Sequence, residues 1–111
     1  MKDKVVIITG GSSGIGKALA DLFGMKGSKV LITGRNQQEL DNVVSEFQKR
    51  NLIVHGFQAD VSIEQDNEAM AKEALRLYGS LDILINNAGI SMRALFSEVG
   101  LDVVRKVMDI N

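Results

Sequence analysis

Apolar residues along this chain follow two patterns. One consists of short continuous runs, which are typical of buried strands, and the other has the spacing of amphipathic helices. Four short apolar runs predict strands at residues 4–9, 29–33, 52–59 and 82–85. Apolar positions at helical spacing predict a helix over residues 14–25, a second opening at Asn36, a third following Ser62, and a fourth around residues 101–108. Strands therefore alternate with helices along the sequence.

This alternation predicts the fold class. Strands separated by helices at this spacing form βαβ units, in which helices cover both faces of a parallel sheet. We therefore expect an α/β fold with a doubly wound parallel sheet and three layers in the order α/β/α. A length of 111 residues without a repeat or a linker indicates one domain over residues 1–111.

Polar residues at two predicted helix starts refine the pattern. Asn36 is followed three positions later by Glu39, and Ser62 is followed at the same distance by Gln65. Both pairs have the spacing of helix-capping residues. We therefore expect side-chain caps at the start of the second and third helices.

Composition and charge exclude several classes of function. A net charge of −1 provides no electrostatic footprint for nucleic acid or an anionic membrane. The chain has no cysteine, which excludes disulfides, thiol catalysis and cysteine-bound metals. No apolar run approaches the roughly 20 residues that span a bilayer, and the first apolar stretch is too short for a secretory signal. We therefore expect a cytoplasmic protein with no nucleic-acid partner, no metal and no membrane segment.

The candidate chemistry starts where the first strand meets the first helix, at Thr9-Gly10-Gly11-Ser12-Ser13-Gly14-Ile15-Gly16-Lys17. Glycines allow the backbone to approach a ligand, and the free N–H groups of a first helical turn favour an anion. An NTPase loop of this kind needs Ser or Thr after its lysine to bind magnesium, but here the residue is Ala18. A dinucleotide loop has no such need, although its usual Gly-x-Gly-x-x-Gly order differs from this one. The loop alone leaves the choice open.

Three further polar clusters follow the other predicted strands. They are Gly34-Arg35-Asn36, Asp60-Val61 and the run from Asn86 to Gly89. The carboxyl ends of parallel strands share one edge of the sheet, and ligands bind beyond that edge where the chain order reverses. The four clusters together therefore predict one ligand site.

The glycine-rich stretch together with Asn86-Asn87-Ala88-Gly89 resembles the short-chain dehydrogenase/reductase family. Asp60-Val61 and the terminal Asp109-Ile110-Asn111 also stand where the pattern of that family places them. The resemblance extends over essentially the whole chain and implies a Rossmann-type fold. It also implies an NAD(P)-dependent oxidoreductase that transfers a hydride between nicotinamide and a small-molecule carbonyl or alcohol substrate.

The same resemblance implies a role for each cluster. The glycine loop holds the pyrophosphate side of the cofactor, Asp60 and Val61 contact the adenine, and Asn87 to Ile90 line the cofactor. Asn111 matches the catalytic Asn of the family. The full set of candidate cofactor-binding residues is Gly10, Ser12, Ser13, Gly14, Ile15, Gly16, Arg35, Asp60, Val61, Asn87, Ala88, Gly89 and Ile90.

Arg35 bears on the choice of cofactor. An acid about 20 positions after the glycine loop would bind the 2′-hydroxyl of NAD(H) and repel a 2′-phosphate. The second strand is followed instead by Gly34 and Arg35, whose guanidinium can pair with a phosphate through two hydrogen bonds and stack on adenine. Ser12 and Ser13 can donate further bonds. These residues favour NADP(H) over NAD(H), and a solvated loop arginine is the alternative interpretation.

The family's Tyr-x-x-x-Lys motif is absent from residues 1–111. The only tyrosine, Tyr78, has Asp82 four positions later, so that we expect a structural role for it. The single histidine, His55, lies within the predicted third strand and far from any second ligand, so that we expect a structural role for it too. The sequence thus predicts the N-terminal, cofactor-binding portion of a longer reductase, inactive alone, whose catalytic Ser, Tyr and Lys follow Asn111. Its fourth strand would be an exposed sheet edge, which favours self-association into a homo-oligomer. A non-catalytic NADP(H)-binding or sensor module is the alternative function.

Overall fold

A computed structural model describes residues 2–12 and 14–87 of the chain. The strands are β1 (Val5–Thr9), β2 (Lys29–Gly34), β3 (Val54–Gln58) and β4 (Ile83–Asn86). The helices that alternate with them are α1 (Gly14–Met25), α2 (Gln37–Lys49) and α3 (Glu64–Tyr78). This order confirms the predicted alternation of strands and helices. The helix predicted around residues 101–108 lies outside the described residues.

The four strands form one parallel sheet in the order β3-β2-β1-β4. The chain moves outward from β1 to β3 and then crosses back to place β4 on the other side of β1. Thr9 at the end of β1 pairs with Thr33 of β2 and with Asn86 of β4, so that the ends of these three strands are level. Within the described part of the sheet, β4 forms one edge, as the sequence predicts.

Helices cover both faces of the sheet, which confirms the predicted three-layer α/β fold. On one face α1 and α2 contribute Phe23 and Phe47, which are fully buried in the same cluster as Val6 of β1. On the other face α3 buries Met70 in a second cluster that contains Ile7. Because β1 is covered from both sides, its sequence is a continuous apolar run instead of an alternating one.

The predicted helix starts are correct for α2 and wrong for α3. Asn36 caps α2, because its Oδ1 accepts a hydrogen bond of 3.0 Å from the backbone N–H of Glu39. The cap predicted from Ser62 and Gln65 is wrong, because no side chain caps the N-terminus of α3. The Ser62 hydroxyl donates instead to Asp60 Oδ1 at 2.6 Å, so that it stabilises the loop before the helix.

Tyr78 and His55 have structural roles, as the sequence predicts. The Tyr78 hydroxyl donates a hydrogen bond of 2.8 Å to the carbonyl oxygen of Val30, near the start of β2. Because its one proton is used there, the Tyr78 oxygen accepts a bond of 2.8 Å from His55 Nδ1–H. Burial raises the pKa of Tyr78 above its ordinary value, so that the phenol stays protonated at neutral pH. Tyr78 is thereby held near the start of β2, whereas the predicted ligand site lies at the other end of this strand.

Candidate functional site

A crevice of about 500 Å³ opens at the carboxyl ends of β1, β2 and β3. The predicted site residues that line it are Gly10, Ser12, Arg35, Asp60 and Val61. They belong to three separate loops, so that the sheet topology brings together residues that are distant in sequence. Ligands of open α/β sheets bind at this edge, next to the point where the strand order reverses.

The glycine-rich turn after β1 leads the chain directly into α1. The backbone of Gly14 is left-handed, with φ of +58°, a conformation that residues with a Cβ rarely adopt. At Gly16 an added Cβ would lie only 2.2 Å from the carbonyl oxygen of Gly10. Glycine at this position therefore lets the first turn of α1, with its unpaired N–H groups, lie against the end of β1.

A hydrogen-bond network joins the glycine-rich turn to the end of β4. The Thr9 hydroxyl donates to Asn86 Oδ1 at 3.0 Å and accepts from the backbone N–H of Asn87 at 2.9 Å. The side-chain N–H of Asn87 donates to the carbonyl oxygen of Gly10 at 3.2 Å. Asn87, a predicted site residue, thus holds the backbone of the turn. Thr9 is a positioning residue that the sequence did not single out.

Arg35 lies exposed at the end of β2 and lines the crevice. Its backbone carbonyl oxygen accepts a hydrogen bond of 3.0 Å from Gln58 Nε2, which ties the loop after β2 to β3. Within the described residues, its guanidinium takes part in none of the ion pairs. The positive charge is therefore available to an anion in the crevice.

Asp60 lies in the loop after β3 and forms a turn with Ser62. Its Oδ1 accepts hydrogen bonds from the Ser62 hydroxyl at 2.6 Å and from the Ser62 backbone N–H at 2.9 Å. The hydroxyl bond is the largest cause that lowers the pKa of Asp60, followed by the backbone bond, and the charge of Arg35 adds to them. The carboxylate is therefore ionised at neutral pH. Stability from this turn is present above the ordinary pKa of an aspartate and is lost as the pH falls through the lowered one.

Two residues that the sequence did not indicate as site residues, Thr33 and Glu39, also line the crevice. The Thr33 hydroxyl oxygen is buried, and it has no hydrogen-bond partner among the residues that the structure describes. An unpaired buried hydroxyl is costly, so that this group fits a site which a polar ligand or a water completes. The sequence offers no signal for Thr33, since threonine is common in strands. An acid in a first helical turn, like Glu39, is equally ordinary.

Replacing Thr33 by valine is expected to raise the free energy of unfolding of the ligand-free protein by about 1 kcal/mol. The change removes an unpaired buried hydroxyl and keeps the shape of the side chain. Urea denaturation measures the effect. Thr9→Val is the matched control and is expected to lower the same free energy by about 1–2 kcal/mol, because the Thr9 hydroxyl is bonded. A loss of stability in Thr33→Val would show that its hydroxyl is satisfied in the protein.

Some predicted site residues lie outside the described part of the chain, so that their assignments stay predictions. They are Ser13, Ala88, Gly89, Ile90 and Asn111. The remaining candidates lie in the first turn of α1, directly after β4, or in the lining of the crevice.

Within residues 2–12 and 14–87, no group of three His, Asp or Glu residues is arranged to hold a metal ion. None of the helices in these ranges has both the length and the apolar character needed to cross a membrane.

Comparison with known proteins identifies the family. The family model described as short chain dehydrogenase matches residues 4–111, and the chain therefore belongs to the short-chain dehydrogenase family. Over 111 residues it is 33% identical to an uncharacterized oxidoreductase of Staphylococcus aureus strain USA300, covering 100% of this chain and 47% of that protein. Over 117 residues it is 38% identical to dehydrogenase/reductase SDR family member 7B of Mus musculus, covering 100% of this chain and 36% of that protein. The chain thus spans less than half the length of these relatives.

Solved structures of the family share the fold. A hydroxysteroid dehydrogenase from Escherichia coli superposes with a TM-score of 0.76 at 28% identity, over 96% of this chain and 48% of that one. A metagenomic short-chain oxidoreductase in complex with NADP gives a TM-score of 0.74 at 32% identity, over 81% of this chain and 41% of that one. A short-chain dehydrogenase/reductase from Burkholderia phymatum in complex with NAD gives a TM-score of 0.73 at 30% identity, over 75% of this chain and 30% of that one. The parallel sheet with its helices is therefore the Rossmann fold of this family.

Proposed function

We propose that the crevice binds a nicotinamide dinucleotide, with NADP(H) preferred over NAD(H), in an oxidoreductase that transfers a hydride between nicotinamide and a carbonyl or alcohol substrate. Membership of the short-chain dehydrogenase family supports the reaction class. One structural relative is in complex with NAD and another with NADP, which supports a nicotinamide cofactor. The preference between NAD(H) and NADP(H) is therefore argued from the residues that line the crevice.

The observation that carries the preference is the position of Arg35 at the end of β2. A dinucleotide site for NAD(H) places an acid in this region to accept a hydrogen bond from the ribose 2′-hydroxyl. Here Gly34 and Arg35 line the crevice at that place. A guanidinium can bind a phosphate through two parallel, charge-assisted hydrogen bonds. Ser12, which lines the same crevice, and Ser13 would donate further bonds to the 2′-phosphate.

The pyrophosphate would lie at the glycine-rich turn. The backbone N–H groups of Gly14, Ile15 and Gly16 belong to the first turn of α1, where an α-helix provides them with no internal partner. They lie at the positive end of the helix dipole, which favours a phosphate. Ile15 is 44% exposed, so that a cofactor lying here would also cover apolar surface.

The two ends of the cofactor would contact the other predicted clusters. Asp60 and Val61 line the crevice after β3 and would contact the adenine, whose amino group can donate to the ionised carboxylate. Asn87 to Ile90 would lie along the cofactor beyond β4. The bonds from Asn87 to Thr9 and Gly10 would keep this end of the site in register with the glycine-rich turn.

In this proposal, residues 1–111 are the N-terminal, cofactor-binding portion of a Rossmann domain. The bound nicotinamide supplies or accepts the hydride, and these residues bind and orient it, with Asn111 in the place of the family's catalytic Asn. The one tyrosine of these residues, Tyr78, donates its hydroxyl proton to the Val30 carbonyl oxygen, at the end of β2 away from the crevice. No Tyr-x-x-x-Lys motif occurs in residues 1–111. In this proposal, proton transfer would belong to residues of the complete protein outside 1–111.

Titration of the purified protein with NADPH and with NADH, followed by nicotinamide fluorescence, tests the proposed function. We expect NADPH to bind at least about tenfold more tightly, since a single net charge-assisted bond is enough for that ratio. Equal affinities, or tighter binding of NADH, would contradict the preference. Magnesium with ATP is the competitor that tests the NTPase alternative, and displacement of NADPH by it at equal concentration would favour that class.

A non-catalytic NADP(H)-binding or sensor module is the second candidate. The observation that favours it is the missing Tyr-x-x-x-Lys in residues 1–111. Both candidates bind NADPH, so that only turnover separates them. Residues 1–111 alone are expected to bind NADPH without oxidising it under either candidate, so that the assay uses the complete protein. Its oxidation of NADPH in the presence of a panel of carbonyl compounds would support the enzyme, and tight binding without oxidation by the complete protein would support the module.

A further inference from the structure

We propose that Glu39 opposes the binding of a 2′-phosphate in the crevice, so that the preference for NADP(H) is smaller than Arg35 alone would produce. This inference rests on the proposed function, because it concerns the same cofactor site. It adds a specificity-determining residue of opposite charge, located four positions after Arg35 in the first turn of α2.

The charges that line the crevice carry the inference. One guanidinium, that of Arg35, shares the lining with two carboxylates, those of Glu39 and Asp60. The Asp60 carboxylate is engaged by two hydrogen bonds from Ser62. The Glu39 carboxylate, by contrast, has neither a hydrogen bond nor an ion pair among the residues that the structure describes. Its negative charge is therefore not paired among the described residues, and Glu39 lines the same crevice as Arg35, where the dianionic phosphate is proposed to bind.

The position of Glu39 is fixed by the start of α2. Its backbone N–H donates to Asn36 Oδ1 at 3.0 Å, and Arg35, Asn36 and Glu39 all line the crevice. An acid in a first helical turn stabilises the helix through its dipole, which accounts for Glu39 without any ligand. In the proposal, the same carboxylate repels a phosphate bound by Arg35, because like charges that line one crevice interact through water and are only partly screened by salt.

The test uses two fragments of the cofactor that differ only in the 2′-phosphate. Adenosine 2′,5′-bisphosphate and 5′-AMP are titrated by calorimetry against the wild-type protein, Glu39→Gln and Glu39→Lys. At low salt, we expect Glu39→Gln to raise the affinity for the bisphosphate about threefold to fivefold. Glu39→Lys should raise it about tenfold to twentyfold, because the effect scales with the change in charge. The affinity for 5′-AMP should change less than about twofold in Glu39→Gln, and the gain should shrink when salt shortens the Debye length.

The matched control is Asp41→Asn, which removes the same charge from the same helix. Asp41 accepts a hydrogen bond of 2.8 Å from Gln37 and is not part of the crevice lining. We expect the gain in affinity for the bisphosphate in this variant to be less than half of the gain in Glu39→Gln. A similar gain in both variants would overturn the inference, because it would reflect the charge of the whole helix.

Two further results would overturn the inference. An unchanged bisphosphate affinity in both Glu39 variants would show that the carboxylate does not face the phosphate. Weaker 5′-AMP binding in Glu39→Gln would show that Glu39 accepts a bond from the ribose. Failure of the proposed function is a separate result, in which the wild-type protein binds the two fragments equally and Arg35→Ala changes neither.

Discussion

Arg35→Asp is expected to weaken NADPH binding by about a hundredfold or more, while NADH binding changes by less than about threefold. The variant loses the charge-assisted hydrogen bonds from the guanidinium, which contribute about 1.5–3 kcal/mol each, and it adds a carboxylate that repels the 2′-phosphate. The new carboxylate can accept a hydrogen bond from the 2′-hydroxyl of NADH, so that binding of this cofactor is retained. Fluorescence titrations give both dissociation constants.

The control for this variant is Lys72→Asp, which makes the same change in net charge at an exposed position of α3. It should leave the ratio of the two affinities within about twofold of the wild-type ratio, because Lys72 is not part of the crevice lining and exposed charges are screened by salt. Since Arg35 is exposed, Arg35→Asp should change the free energy of unfolding by no more than about 0.5 kcal/mol. Equal losses of NADPH and NADH affinity would refute the assignment of Arg35 to the 2′-phosphate.

The fold could be predicted from the sequence because its core depends on local patterns. The run Val5-Val6-Ile7-Ile8 is apolar at every position, and the structure buries it from both faces of the sheet. Asn36 caps α2 through a contact three residues away, which the sequence shows directly. The bounds of β3 were predicted less well, at 52–59 instead of Val54–Gln58, because its pairing with β2 limits the strand.

The site could be predicted only in part, because some of its residues act through contacts that are distant in sequence. Arg35 and Asp60 were predicted from their places after strands, and both line the crevice. Thr9 was missed, since its hydroxyl bonds Asn86 and Asn87, which end the neighbouring strand β4 and are more than 70 residues away in sequence. The cap expected from Ser62 failed for a related reason: a serine hydroxyl can serve several backbone and side-chain partners, and the sequence does not say which one it takes.

Gly16→Ala is expected to destabilise the protein by about 3 kcal/mol and to abolish measurable NADPH binding. On the exposed face of a helix the same change would stabilise by about 0.5–1 kcal/mol, because alanine has the higher helix propensity. Here the new methyl group would lie 2.2 Å from the carbonyl oxygen of Gly10 and 2.9 Å from Asn87 Nδ2. The first of these atoms belongs to backbone, so that α1 must shift away from β1 to make room.

That shift would alter the site and the fold together, because the N–H groups proposed to bind the pyrophosphate belong to the turn that must move. Urea denaturation measures the loss of stability, and fluorescence titration measures the loss of NADPH binding. Gly79→Ala is the control: its φ of +81° makes alanine unfavourable by about 1–2 kcal/mol, but no atom lies within 4 Å of the added Cβ. Gly79 ends α3 outside the crevice, so that its variant should bind NADPH as the wild-type protein does. Wild-type stability together with wild-type NADPH affinity in Gly16→Ala would show that α1 does not need this close approach.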